Sequence, residues 1–204
     1  MNVLALVAGG MAVLATVQSS PMPEPPQLPD FPRVLVSLTV ERFPVEARNF
    51  EYASRAARED GPVNTEAETQ YGFRYYYGPE ETEEGCSVAF FEISVVLTMT
   101  YPEWTNYGDA ASSSRRHWDE MIARLVEHEN NHALIAVYSA DRIRREVEAA
   151  PAVDDCDMLQ DTTAAAMAAG AERFRSWQND YDAATHNGDQ QAGFELDAFL
   201  AARD

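Results

Sequence analysis

The sequence predicts an α+β domain in which a small antiparallel sheet packs against two long helices, and three observations carry that expectation. Residues Ser87 to Tyr101 alternate apolar with polar side chains at the period of a half-buried strand. From about Ser113 the period lengthens to that of a helix and holds to about Ala149, and a second helical stretch runs from about Asp155 to Ala184. At 204 residues, 46% of them hydrophobic, the chain can bury a core, and its length fits one folded domain better than two.

The chain opens on VLALVAGGMAVLATV, Val3 to Val17, an uncharged apolar run that suits a secretory signal and is short for a bilayer span. Residues 1–19 are therefore expected to be a signal peptide cleaved after Ser19, and an uncleaved anchoring helix is the alternative. Residues 20–32 follow as a proline-rich linker, since PMPEPPQLPDFP holds too many prolines for a helix or a central strand. The folded domain is expected over 33–204.

Within it, residues 34–41 (VLVSLTVE) alternate in a β-branched background and read as a strand, and 45–58 reads as a short helix running to the Gly61-Pro62 breaker. GFRYYY, residues 72–77, reads as a second strand closed by Gly78-Pro79. In the third strand Phe91, Ile93, Val95, Leu97, Met99 and Tyr101 share one face, and Pro102 is expected to end it. Trp118, Ile122, Leu125, Ala136, Ala140, Ile143 and Val147 form the apolar stripe of the first long helix, with Ser112 to Ser114 as N-cap candidates and Pro151 as its stop. Leu159, Ala166, Gly170, Phe174, Trp177 and Tyr181 form that of the second. Gly170 costs that helix about 1 kcal/mol relative to alanine, but the small residues around it let a neighbouring helix come close. Asn187-Gly188 suits the left-handed turn that ends it, and 194–202 can form a short terminal helix.

Thirty-four acidic residues against fifteen basic ones give a formal charge of −19, which repels phosphate backbones and anionic head groups; nucleic acid is excluded as a partner, and no stable membrane insertion is expected after signal cleavage. Cys86 and Cys156 make an even count in a chain that reads as exported, and a disulfide between them is expected. In the chain-entropy model a loop of this length is worth roughly 4 kcal/mol.

The chemistry concentrates in His128-Glu129-Asn130-Asn131-His132. Histidines four apart on a helix project from one face, where two neutral imidazoles can share a Zn²⁺ ion, and the adjacent glutamate can reach a water that such an ion acidifies. Stepping from Trp118 through Ile122 and Leu125 places His128, Glu129 and His132 on the edge of the apolar stripe, where they are costly to desolvate without a partner. Zn²⁺ is the expected cofactor, with His128 and His132 as ligands and Glu129 as the catalytic base. His186 is the expected third ligand, with Asp182, Glu146 and Glu148 as competitors. His117 is about three helical turns from His128 and too far to share its ion. Tyr181 and Tyr138 could each donate to a developing oxyanion, but core packing is the preferred reading of both.

The order of these features, namely a cysteine opening a long strand, Pro102-Glu103-Trp104, a tryptophan-led helix with His-Glu-x-x-His, a second cysteine and then Tyr181-Asp182-Ala183-Ala184-Thr185, resembles the bacterial DUF922 family, described as predicted secreted zinc-dependent proteases. The resemblance implies a secreted or periplasmic zinc hydrolase acting on peptide or protein substrates, with His128 and His132 as ligands and Glu129 as general base. The family pattern runs Tyr-Asp-x-x-Thr-x-His-Gly, whereas this chain reads Thr185-His186-Asn187-Gly188, with the histidine one position early. Two rival readings share the motif: a zinc-stapled binding or scaffold protein without turnover, and a zinc amidase acting on cell-wall peptides.

Overall fold

The computed structural model describes residues 18–21, 24–63 and 65–203. The apolar run of the expected signal peptide, up to Val17, lies outside them. The elements in order are β1 (Val34–Val45), α1 (Phe50–Glu59), β2 (Glu68–Thr82), β3 (Gly85–Trp104), a 3₁₀ turn (Tyr107–Asp109), α2 (Ser112–Glu148), α3 (Cys156–Thr185) and α4 (Leu196–Ala201). The α+β class and the two long helices are as the periodicity predicts.

The sheet is mixed rather than antiparallel, which corrects the expectation. Its order is β1-β3-β2. β2 and β3 form an antiparallel hairpin, but β1 runs parallel to β3, from Val34 opposite Ile93 to Val45 opposite Trp104. Alternation fixes which face of a strand is buried and carries no information on strand direction. Here α1 and its flanking loops carry the chain away after β1, so the hairpin can insert its second, most apolar strand between β1 and β2.

Two proline positions also differ from expectation. Gly78-Pro79 does not close β2 but marks a shift in register against β3, the bulge that such a pair tolerates. Pro102 does not end β3: it pairs with Phe43 of β1, while the β2 ladder ends at Thr100, so no β2 partner needs the N–H that proline lacks.

The buried face of β3 matches the predicted one, with Phe91, Ile93, Val95, Leu97 and Met99 fully buried. It packs on Ala133, Ala136, Ala140, Ile143 and Val147 of α2 and on Phe174, Trp177 and Tyr181 of α3. A Cβ at Gly170 would collide with Ile143, so glycine there is what lets α3 seat on α2. A second cluster, around Trp104 and Trp118 in edge contact with ring centroids 5.5 Å apart, joins α1 and the start of α2 to the end of the sheet.

Cys86 at the start of β3 is disulfide-bonded to Cys156 at the start of α3, as expected. The pairing is supported by a two-residue bridge in which Cys86 and Val153 exchange backbone hydrogen bonds of 2.7 and 2.8 Å. In the proline-rich segment, Leu28 and Phe31 rest on the main core, and Phe31 meets the Tyr138 ring edge-on. Ser20 is tied to Trp104 by its N–H donating to the Trp104 carbonyl and its hydroxyl accepting from the Trp104 N–H.

Candidate metal centre

The site lies where the middle of α2, the last turn of α3 and the free edge of β2 meet. The i, i+4 spacing carries His128 and His132 to one face of α2, and the antiparallel return of α3 brings Asp182 over them. The Nε2 atoms of the two histidines are 3.0 Å apart, and Asp182 Oδ1 lies 3.2 Å from His128 Nε2 and 3.0 Å from His132 Nε2. Among the described residues these three form the one group of metal-ligating side chains whose ligand atoms converge.

Hydrogen bonding on the far side of each ring decides what these atoms can do. His132 Nδ1 makes a short contact with Gln178 Oε1, and the Gln178 amide nitrogen donates to the His132 carbonyl at 3.1 Å, which fixes the oxygen toward the ring. His132 therefore donates through Nδ1. His128 Nδ1 faces Gln191 Oε1 at 3.3 Å and Thr185 Oγ1 at 3.4 Å. With both Nδ1 atoms protonated, both neutral rings present Nε2 lone pairs to the Asp182 carboxylate. Three lone-pair donors at 3.0 to 3.2 Å repel one another unless a proton or a cation sits among them. They form a nearly equilateral triangle, close to the roughly 3.3 Å spacing of ligand atoms around a tetrahedral ion with bonds of 2.0–2.1 Å. The residues present fit a zinc-type ion by both donor set and spacing.

The electrostatics point the same way. Burial pushes the Asp182 carboxyl up, but the hydrogen bonds and charge of the two imidazoles outweigh it and hold the group well below the usual carboxylate range. Burial pulls His132 down, yet its contacts with Asp182, Glu129 and Gln178 prevail and hold it above its ordinary value. In both cases the surroundings favour a positive charge at the centre of the triangle.

Glu129 is 4% exposed, and burial drives its carboxyl upward against the pull of both imidazoles and Thr69. The Thr69 hydroxyl donates to the Glu129 backbone carbonyl at 3.2 Å, tying β2 to α2 beside the site. Tyr181 stacks on the His128 ring with centroids 4.9 Å apart, and its hydroxyl bonds Gln191 Oε1 at 2.6 Å. It does not line the cleft. Burial raises its pKa, so it stays a donor, and packing under the ligand is its place.

His186 is not brought into the triangle. It caps α3 in the left-handed conformation, exposed on the cleft wall, one turn beyond Asp182. Glu146 is bound by Arg142 and Arg173, and Glu148 by Arg33 and Arg144, so neither competitor is near the imidazoles. His117 packs against Phe50. Gly188, also left-handed, lies flat against His128: a Cβ there would fall 3.1 Å from the ring.

The residues that sequence reasoning missed are those behind the rings. Gln178 was findable, being four before Asp182 and so on the same face of α3, and Thr185 likewise follows Tyr181 by four. Gln191 sits in an irregular stretch and carries no such signal.

A family model described as bacterial protein of unknown function (DUF922) matches residues 40–189, most of the chain and all of the metal triangle, and the chain belongs to that family. No curated protein and no solved structure matches it.

Proposed function

We propose that this DUF922 protein is a zinc-dependent peptidase that works outside the cytoplasm, with His128, His132 and Asp182 as metal ligands and Glu129 as the proton-transfer residue. The observation that carries the reading is the convergence of two Nε2 lone pairs and a carboxylate oxygen, with a nearly buried glutamate adjacent in sequence to the first ligand. Asp182 takes the third ligand place in preference to His186 because its oxygen already completes the triangle. A bound zinc ion supplies Lewis-acid polarisation of a carbonyl and acidification of water.

The protein's own groups supply the rest. Glu129, held above its ordinary pKa by burial, is suited to accept a proton from water at its carboxylate and to return it to the leaving amine. The cleft over the site has a volume of about 560 Å³ and is bounded by Glu68, Thr69 and Tyr71 of β2 on one wall and by α3 on the other. β2 is an edge strand, so its unpaired backbone groups offer a rail for an extended polypeptide. That shape favours a peptide or protein substrate over a compact one.

Export is supported by the disulfide, which belongs to an oxidising compartment, and by the apolar N-terminal run. Among the described residues no helix is long and apolar enough to cross a membrane.

Hydrolysis of unfolded casein by the zinc-loaded protein tests the activity. Glu129→Gln should retain zinc while losing about 10²–10⁴-fold in rate. Undiminished hydrolysis by that variant, or none by zinc-replete wild type, would remove the peptidase reading.

A further inference from the structure

We infer that Gln191, outside the family match, is the positioning residue that selects the metal-binding tautomer of His128, and that it does so at the expense of leaving its own amide nitrogen unpaired. The inference rests on the metal-site reading above and adds a residue that the motif does not contain.

The proton on His128 Nδ1 follows from its two neighbours. The Thr185 hydroxyl donates to the Tyr181 carbonyl at 2.9 Å, so toward the imidazole it can only accept. Gln191 is fully buried, and its Oε1 receives the Tyr181 hydroxyl at 2.6 Å while facing His128 Nδ1 at 3.3 Å. Both partners of Nδ1 are acceptors, which places the proton there and leaves the Nε2 lone pair for the cleft. The consequence appears on the other end of the amide: Gln191 Nε2 is buried with no hydrogen-bond partner.

That orphan is informative because a better-satisfied arrangement is within reach. Turning the amide over would let Nε2 donate to the Tyr181 oxygen or to His128 Nδ1, pairing the buried donor. The same turn would place a donor against His128 Nδ1 and so favour a proton on Nε2, where it would block a metal. Gln178, behind His132, has no such conflict, since its nitrogen is paired with the His132 carbonyl. The two rings are thus held unequally: His132 by a satisfied amide, His128 by one that the Tyr181 hydroxyl keeps in place.

Zinc affinity of the full chain, measured by competition with a chromogenic chelator, tests this with Gln191→Met and Gln191→Glu. Methionine keeps the volume and loses the acceptor, and should weaken zinc binding about 10–100-fold, the usual effect of removing a partner behind a ligand. Glutamate keeps the acceptor and has no orphan nitrogen, and should bind zinc at least as tightly as wild type. If packing were the sole role of Gln191, the order would invert, with methionine harmless and the buried carboxylate damaging.

A long-range nitrogen-15 spectrum of the wild-type histidines gives a second reading that needs no variant to fold. It should show His128 with its proton on Nδ1, both with zinc and, at a pH where the ring is neutral, without it. A proton on Nε2 in the metal-free protein would overturn the inference. Absence of zinc binding by wild type would instead count against the metal site itself, leaving the tautomer measurement to judge Gln191.

Discussion

Two stretches of α2 carry buried or half-buried charge, and the chain treats them in opposite ways. Toward the C-terminal end, Asp141 is gripped by Arg144 and Arg145, Glu146 by Arg142 and Arg173, and Glu148 by Arg144 and Arg33. Every carboxylate there has a guanidinium from within the chain, and Glu148 in addition accepts the Phe91 N–H, so the network joins α2 to the sheet. Three turns earlier, Glu129 of α2 and Asp182, brought over it by α3, have no guanidinium partner among the described residues: Asp182 sits against both imidazoles, and Glu129 interacts with the imidazoles and Thr69. The guanidinium that lines the cleft, Arg58, is bound to Glu66. Where the protein supplies its own cations the carboxylates are structural; where it withholds them, the His128, His132 and Asp182 group could hold a cation from outside.

The contrast can be broken most severely by deleting a ligand. His132→Ala should lower zinc affinity by more than about 100-fold, since it removes a direct donor rather than a partner behind one. Equilibrium dialysis of the purified variant reads this, and binding within tenfold of wild type would contradict the ligand set. Removing the disulfide acts on the whole fold instead. The Cys86→Ser, Cys156→Ser double variant should lose roughly 4 kcal/mol by chemical denaturation while keeping the zinc site intact below its transition.

pH separates the two regions more gently. In the metal-free protein His132 is held above its ordinary pKa, so its stabilisation is complete below about 6.5 and is lost as pH rises through the folded-state value. Asp182 is held below its ordinary pKa, so its share is present above about 4 and is lost only as pH falls through a much lower folded value. The metal-free domain should therefore be most stable between about pH 4 and 6.5. Zinc adds stability at higher pH and is displaced by protons below about 6.5. Thermal melts with and without chelator across pH 4 to 9 check the crossover, and parallel curves would contradict it. The smallest effect is expected in the arginine network, where Arg145 is largely exposed. Arg145→Ala should cost less than about 1 kcal/mol and leave zinc binding unchanged, as a denaturant midpoint and a zinc titration would read.

The sequence made the periodic elements legible because period alone reveals them: the buried face of β3, both long helices and the small-residue contact at Gly170 follow from spacing. Strand direction was not legible, since Val34 to Val45 would alternate identically in either orientation. The histidine pair was legible from its i, i+4 spacing. Which residue closes the triangle was less so, because Asp182 and His186 both lie near the end of α3 and only the backbone there decides. His186 is the left-handed cap and sits exposed on the cleft wall, whereas Asp182 is still helical and its Oδ1 meets both Nε2 atoms. Gln191 was invisible, because an irregular return after α3 brings it beneath His128.

The most direct test is the metal content, by elemental analysis, of wild type, Asp182→Ala and His186→Ala after exposure to excess zinc and removal of unbound metal. One zinc per wild-type chain, lost in Asp182→Ala and retained in His186→Ala, is the predicted result. Metal-free wild type, or zinc lost with His186 and kept without Asp182, would contradict it.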